Sequence, residues 1–207
     1  TPTPAIPTAD GGRWTAVRVF AVTMFTAMLM LPPSTAFSDV TGRVTLATAQ
    51  MFRGLKETQD GAAVNGLLQY ESDPGLYAAM WVGRDDYAYS NQGSDVEVDY
   101  IAGFGCALDA RLSFDTSIAR YTYPTSNLNY DWTEWYASVR VDACCTLGAS
   151  IGHDWLGANK TTEMVEFTVR YPLPLGVIVD GTAGYQNVSS AVGRDYSYYE
   201  FGLGYAL

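Results

Sequence analysis

Long apolar runs are almost missing from this chain, and their absence removes the commonest way of crossing a membrane. Outside residues 19–31 no stretch approaches a helical span. That one run, at about 1.5 Å per residue, reaches only about 20 Å of a hydrocarbon core of about 30 Å. Histidine is nearly absent too, with His153 alone, and the cysteines number three, Cys106, Cys144 and Cys145. A metal centre built on His and Cys is therefore not expected, and neither is any other cofactor. Basic residues are outnumbered 12 to 22 by acidic ones, for a formal charge of −10. This makes nucleic acid a poor partner.

The apolar run reads as a leader. Arg13 and Arg18 precede it, Pro32-Pro33 end it, and Ser34-Thr35-Ala36-Phe37-Ser38 supplies small residues for cleavage after Ala36 or Ser38. This is the layout of a secretory signal peptide. Residues 1–38 are accordingly set apart as extension and leader, and 39–207 as one domain.

What fills that domain is a repeat of runs about ten residues long, alternating apolar and polar, expected at 43–53, 62–71, 75–83, 95–105, 110–121, 132–142, 145–153, 163–171, 176–186 and 197–207. Short turns, around Ser72-Asp73-Pro74-Gly75, Ala107-Leu108-Asp109 and Ala143-Cys144, alternate with longer connections rich in Asp, Asn, Gly, Ser and Tyr at 55–61, 84–94, 122–131, 154–162 and 187–196. Short turns at one rim and long loops at the other are the pattern of an outer-membrane barrel. The expected fold is all-β: a transmembrane antiparallel up-and-down β-barrel of about ten strands, closed because open edges cannot survive in lipid.

Side chains two apart share a face of a strand. In the last run Tyr199, Phe201, Leu203, Tyr205 and Leu207 oppose Glu200, Gly202, Gly204 and Ala206. The eighth opposes Val165, Phe167, Val169 and Tyr171 to Glu166, Thr168 and Arg170, and the sixth opposes Trp135, Ala137, Val139 and Val141 to Glu134, Ser138 and Arg140. Alternation by itself leaves open which face points inward. Two features favour charge inside. The charged faces also carry many Gly, Ser and Ala, suited to a crowded lumen. Aromatics make up 14% of the chain, and Tyr70, Tyr77, Trp81, Tyr121, Tyr123, Trp132, Tyr136, Trp155 and Tyr205 lie near run ends, as interfacial girdles would.

The lumen-facing residues on this reading are Arg53, Glu97, Asp99, Arg111, Asp115, Glu134, Arg140, Glu166, Arg170, Asp180 and Glu200. Charges of both signs in a narrow barrel must pair or meet water, so a narrow hydrated channel and an occluded barrel are both open. Asp85, Asp86, Asp95, Glu97 and Asp99 cluster toward the outer mouth, where they read as a solvated acidic loop or, more sharply, as a negative vestibule that favours cations. The three cysteines fall at the short-turn rim, where a Cys106–Cys144 disulfide is conceivable. His153 and Asp154 are consecutive, so they face opposite sides of a strand and make a poor catalytic dyad. No enzymatic role is expected.

Several words of the sequence carry a resemblance. Met51-Phe52-Arg53-Gly54-Leu55-Lys56-Glu57-Thr58 resembles the F-R-G opening of TorF-type porins, a proteobacterial family. Gly75-Leu76-Tyr77-Ala78-Ala79-Met80-Trp81, Val96-Glu97-Val98-Asp99-Tyr100, Tyr121-Thr122-Tyr123-Pro124, Asn129-Tyr130-Asp131-Trp132-Thr133-Glu134-Trp135 and Tyr171-Pro172-Leu173-Pro174 are similar to later family segments in the same order. Leu55-Lys56-Glu57 departs from the family's usual stretch, and the final Leu207 stands where such proteins often end in an aromatic. The resemblance implies an outer-membrane porin inserted by barrel-assembly machinery, with no catalytic residues. Together with the lumen charges, it makes passive diffusion of small polar solutes or ions, weakly favouring cations, the expected function. The alternative is a non-conducting barrel in outer-membrane lipid that acts through its Tyr- and Asp-rich loops.

Overall fold

The computed structural model describes residues 16–19, 26–27, 38–58, 62–72, 74–84, 96–142 and 144–206. Most of the leader, the loop acids Asp85, Asp86 and Asp95, turn residues Asp73 and Ala143, and the terminal Leu207 lie outside the described residues. Ten long strands succeed one another: β1 (Ser38–Ala47), β2 (Ala63–Ser72), β3 (Leu76–Gly83), β4 (Glu97–Ala107), β5 (Leu112–Thr122), β6 (Trp132–Val141), β7 (Cys145–His153), β8 (Thr162–Pro172), β9 (Val177–Asn187) and β10 (Tyr196–Ala206). Each pairs antiparallel with its sequence neighbour. The result is an up-and-down sheet with short connections at one end and long ones at the other.

Among the described residues the outer edges of the ten-stranded sheet do not pair with each other. Ala16–Val19 lies antiparallel to β10, from Ala16 opposite Ala206 to Val19 opposite Leu203. Thr26–Ala27 lies antiparallel to β1. Stretches of the expected leader thus occupy the place where a closed barrel would join β1 to β10.

Nine of the ten strands match the alternating runs to within a few residues. The first does not. The run expected at 43–53 begins five residues earlier, at Ser38, and ends at Ala47, while Met51–Phe52 and Leu55–Lys56 form a small separate hairpin. The reason is local: Arg53 (φ 47°) and Gly54 (φ 77°) both adopt left-handed backbone, the requirement of a two-residue type I′ hairpin turn. That turn folds the chain back before a straight strand can reach residue 53.

The two faces of the sheet differ sharply. Glu97, Asp99, Asp115, Ser117, Glu134, Ser138, Ser150 and Gln186 are buried on one face. Val44, Leu68, Met80, Tyr100, Ile118, Trp135, Leu147, Phe167 and Phe201 are exposed on the other. Glu134 is 3% exposed at its side chain, whereas its neighbour Trp135 is 64% exposed and Phe201 65%. The buried face curls round the small hairpin, which touches β6, β7, β9 and β10 at once.

The girdle expectation is corrected for six aromatics. Tyr77, Trp81, Tyr123, Trp132, Tyr136 and Trp155 are buried with the polar groups. Only Tyr70 and Tyr205 of that set are exposed outward, and Tyr121 is half-buried inside. Parity explains this: Trp132 and Tyr136 share the face of Glu134, two residues from each. Substituting alanine for Trp132, which is 1% exposed, is expected to cost about 3–5 kcal/mol in denaturant unfolding. The same change at outward-facing Trp135 should cost about 1 kcal/mol or less.

Candidate functional site

The hairpin places Arg53 at the centre of the buried face. Its guanidinium grips one carboxylate with both arms, Nη1 donating to Glu134 Oε1 at 2.7 Å and Nη2 to Oε2 at 2.8 Å. Ser150 Oγ donates to Glu134 Oε1 at 2.6 Å and Tyr121 OH to Oε2 at 3.1 Å. Gln186 Oε1 and Ser150 Oγ stand 3.5 Å from the guanidinium nitrogens. Phe52 lies beneath the cation, 4.7 Å from ring centroid to Cζ. A bidentate, desolvated pair of this kind is geometrically specific. It also explains an Arg at a left-handed position, which costs roughly 1–2 kcal/mol for a residue with a Cβ.

The base of the hairpin is tied to itself and to β2. Glu57 N–H donates to Gln50 O at 2.9 Å and Gln50 N–H to Thr58 Oγ1 at 2.9 Å. Asn65 Nδ2 on β2 donates to Gln50 Oε1 at 2.9 Å. At the tip, a Cβ on Gly54 would lie 2.6 Å from Tyr198 Cβ on β10, so glycine is required there for space as well as for backbone conformation.

Toward the long loops an aromatic cap closes over the hairpin. Tyr121 and Trp132 stack at 4.0 Å with their planes 5° apart, and Phe52 meets both edge-on at 6.1 and 6.4 Å. Trp132 Nε1 donates to Tyr123 OH at 3.4 Å, and Tyr123 OH in turn donates to Glu97 Oε1 at 3.0 Å. Toward the short turns, Tyr136 and Tyr198 donate to the two oxygens of Glu166, at 3.2 and 2.9 Å. Tyr77 donates to Asp115 Oδ1 at 3.1 Å, while Asp115 Oδ2 is buried with no hydrogen-bond partner among the described residues. Interior glycines leave room for these rings: a Cβ on Gly148 would fall 2.2 Å from Tyr136 Oη, and one on Gly184 2.2 Å from Tyr198 Cζ.

Beside the hairpin remains a cavity of about 70 Å³, room for a few water molecules. Glu57, Glu97, Asp99, Glu134 and Glu166 line it with Arg53. The walls are thus rich in carboxylates around one guanidinium.

Ten of the eleven residues expected to face the lumen lie on or against this inner face. Arg53 reaches it from the hairpin tip rather than from a strand. Glu97, Asp99, Asp115, Glu134 and Glu166 belong to the inner network, and Arg140, Arg170, Asp180 and Glu200 share its register, with Arg170 opposite Asp180. Arg111 is corrected. It sits exposed in the short turn before β5, bound bidentately to Asp142 at 2.7 and 2.8 Å. That hydrogen bonding holds the Asp142 carboxyl below its usual range.

The disulfide expectation is also corrected. Cys106 lies on β4 and Cys144 in the turn that joins β6 to β7, and β4 to β7 are successive neighbours, so two to three strand spacings separate the two. Adjacent strands are about 4.8 Å apart, a gap of about 10–14 Å along the sheet, where a disulfide needs Cα atoms within about 7 Å. All three cysteines are free, and Cys144 Sγ lies 2.7 Å from Cys145 Sγ instead. His153 is exposed at the end of β7. Asp154 spends its carboxylate on the backbone N–H of Asn159, at 2.6 Å.

This architecture coincides with a known sequence family, whose model matches residues 33–206 and is described as a bacterial protein of unknown function, Gcw_chp. The chain belongs to the Gcw_chp family. The match spans all ten strands and the hairpin, so the Arg53 site lies within the Gcw_chp region. No curated protein matches the chain.

Sequence reasoning did not find Gln50, Tyr121, Ser150, Gln186 and Tyr198 as partners of the buried charges. For Ser150 and Gln186 the signal is strand parity, since each shares a face with small or polar neighbours. Replacing Arg53 with Ala strands Glu134 in the interior, so the folded state is expected to lose about 3–5 kcal/mol. Arg53→Lys should recover only part of this, because an ammonium cannot bind both oxygens in the same fork. Denaturant midpoints of the two variants measure the difference.

Proposed function

We propose that this Gcw_chp protein is an outer-membrane β-barrel that passes small polar solutes and ions, cations before anions, through a narrow acid-lined lumen. The observation that carries the reading is the inverted polarity of the sheet. A water-soluble protein of this topology would bury Trp135, Phe167, Phe201 and Leu147 and expose Glu97, Asp115 and Glu134; here the opposite holds. An exposed apolar face this extensive needs a partner, and a bilayer is the partner that surrounds a curled sheet on all sides.

Strand length agrees with that partner. Eight of the ten strands have ten or eleven residues, which at about 3.3 Å each, tilted by about 45°, span about 25 Å, the height of the lipid-facing band of such barrels. Removal of the leader would free the edges of β1 and β10 to pair with each other and close the wall, as lipid demands. The resemblance to TorF-type porins adds support for a conduit. Inside, Glu57, Glu97, Asp99 and Glu166 outnumber the cationic charge around the cavity, which favours cations over anions.

A second reading has its own observation in its favour. The hairpin and its side-chain network occupy the inner face and leave beside them a cavity of only about 70 Å³, which suits a non-conducting barrel. Planar-bilayer recording across a salt gradient separates the two, using the full chain exported in a bacterial host and purified from its outer membrane. A conduit should give small unitary steps with a cation-biased reversal potential, and Glu97→Gln with Asp99→Asn should reduce the bias. Inserted protein that stays silent would contradict it.

A further inference from the structure

We infer that the Met51–Lys56 hairpin is a displaceable plug rather than part of the wall, with the Arg53–Glu134 pair as its latch. This rests on the protein being a conduit. Three observations separate the hairpin from the wall. It forms its own two-stranded sheet, Met51 opposite Lys56 and Phe52 opposite Leu55. Among the described residues no backbone hydrogen bond joins those four strand residues to the ten-stranded sheet. Its base is closed on itself by Glu57 N–H to Gln50 O, so the segment 51–56 can move without breaking a strand pair.

The hold on the wall is made by side chains, foremost the two charge-assisted bonds from Arg53 to Glu134. Arg53 carries a left-handed backbone, φ 47°, which the type I′ turn keeps in place as the hairpin moves. A water-sized cavity already lies alongside the hairpin, so the first step of a displacement has space to occur.

Withdrawal of Arg53 leaves Glu134 facing Glu97, Asp99 and Glu166, with no other cationic side chain among the described residues that line the cavity. A buried carboxylate that loses its partner either takes up a proton or draws in water and mobile cations. With water and cations drawn in, the unlatched state is a wider hydrated path than the latched one. Arg53 acts here as a tethered stand-in for the permeant ion.

The test compares unitary conductance of the parent chain with two variants, each purified from the outer membrane and checked for folding by heat-modifiable electrophoretic mobility. In the first, 51–56 is replaced by Gly-Gly, a two-residue link that the Gln50–Glu57 contact accommodates. In the second, Arg53→Met removes the latch and keeps the hairpin. The excised variant is expected to conduct at least threefold more than the parent, and Arg53→Met to show brief openings to that larger level. A folded excised variant that conducts like the parent overturns the plug and leaves the conduit standing. If both variants insert and are as silent as the parent, the conduit reading fails, and the plug with it. If neither variant folds, the hairpin is part of the structural core and the inference is wrong.

Discussion

A guanidinium and a carboxylate taken out of water each lose several kcal/mol of hydration, and only close pairing with further hydrogen bonds compensates for it. The Arg53–Glu134 pair meets that condition, and much of the interior is arranged so that it can. Ser150 and Tyr121 use the remaining lone pairs of Glu134. Phe52 supplies a π face to the cation. The strained turn at Arg53 and the glycine beside it arise from the same need, since only a tight I′ hairpin sets the guanidinium down between β6 and β9. Tyr136 and Tyr198 extend the arrangement to Glu166, and glycines on the facing strands make room for their rings.

Most polar groups of the inner face pair with one another, and most of the large aliphatic residues of the strands face outward. The outer face of the sheet is therefore apolar from β1 to β10. At its ends the chain is pinned by exposed pairs of modest strength: Arg111 with Asp142 in a short turn, and Arg120 with Asp131 beside a long loop. The last long loop is shaped by Asp195, which accepts the backbone N–H groups of Val188 and Ser189 at 2.9 and 2.7 Å. Those bonds hold its carboxyl below the usual range. Stability thus divides between a cross-wall network inside and local turn chemistry at the rims.

Much of this was legible in the sequence because strand alternation has a period of two and survives local noise. Residues 163–171 and 197–207 announce their two faces, and charge parity put Glu97, Asp115, Glu134 and Glu166 on the face opposite the apolar one. Three features were not legible. Met51-Phe52-Arg53-Gly54 continues an apolar-polar alternation, so an inward hairpin looks like the end of a strand; only the Arg-Gly pair hints at a I′ turn. Aromatics near strand ends fit a girdle by position, yet Trp132 and Tyr136 belong inside by parity, and position was the weaker guide. The spacing of Cys106 from Cys144 says nothing of the gap of two to three strands that the sheet order imposes. Arg111 has the inner parity too, but it lies one residue before β5 begins, where the turn, not the strand, sets its direction.

The central claim is that the apolar face meets lipid while the polar face is enclosed. Quenching of tryptophan fluorescence by brominated acyl chains tests it most directly, with protein from the outer membrane reconstituted into such lipid. Trp135 points outward, whereas Trp81, Trp132 and Trp155 are buried inside. Strong quenching is expected in the parent chain, and Trp135→Phe should largely abolish it. Quenching that survives in Trp135→Phe, or a parent chain that brominated lipid leaves untouched, would contradict the claim.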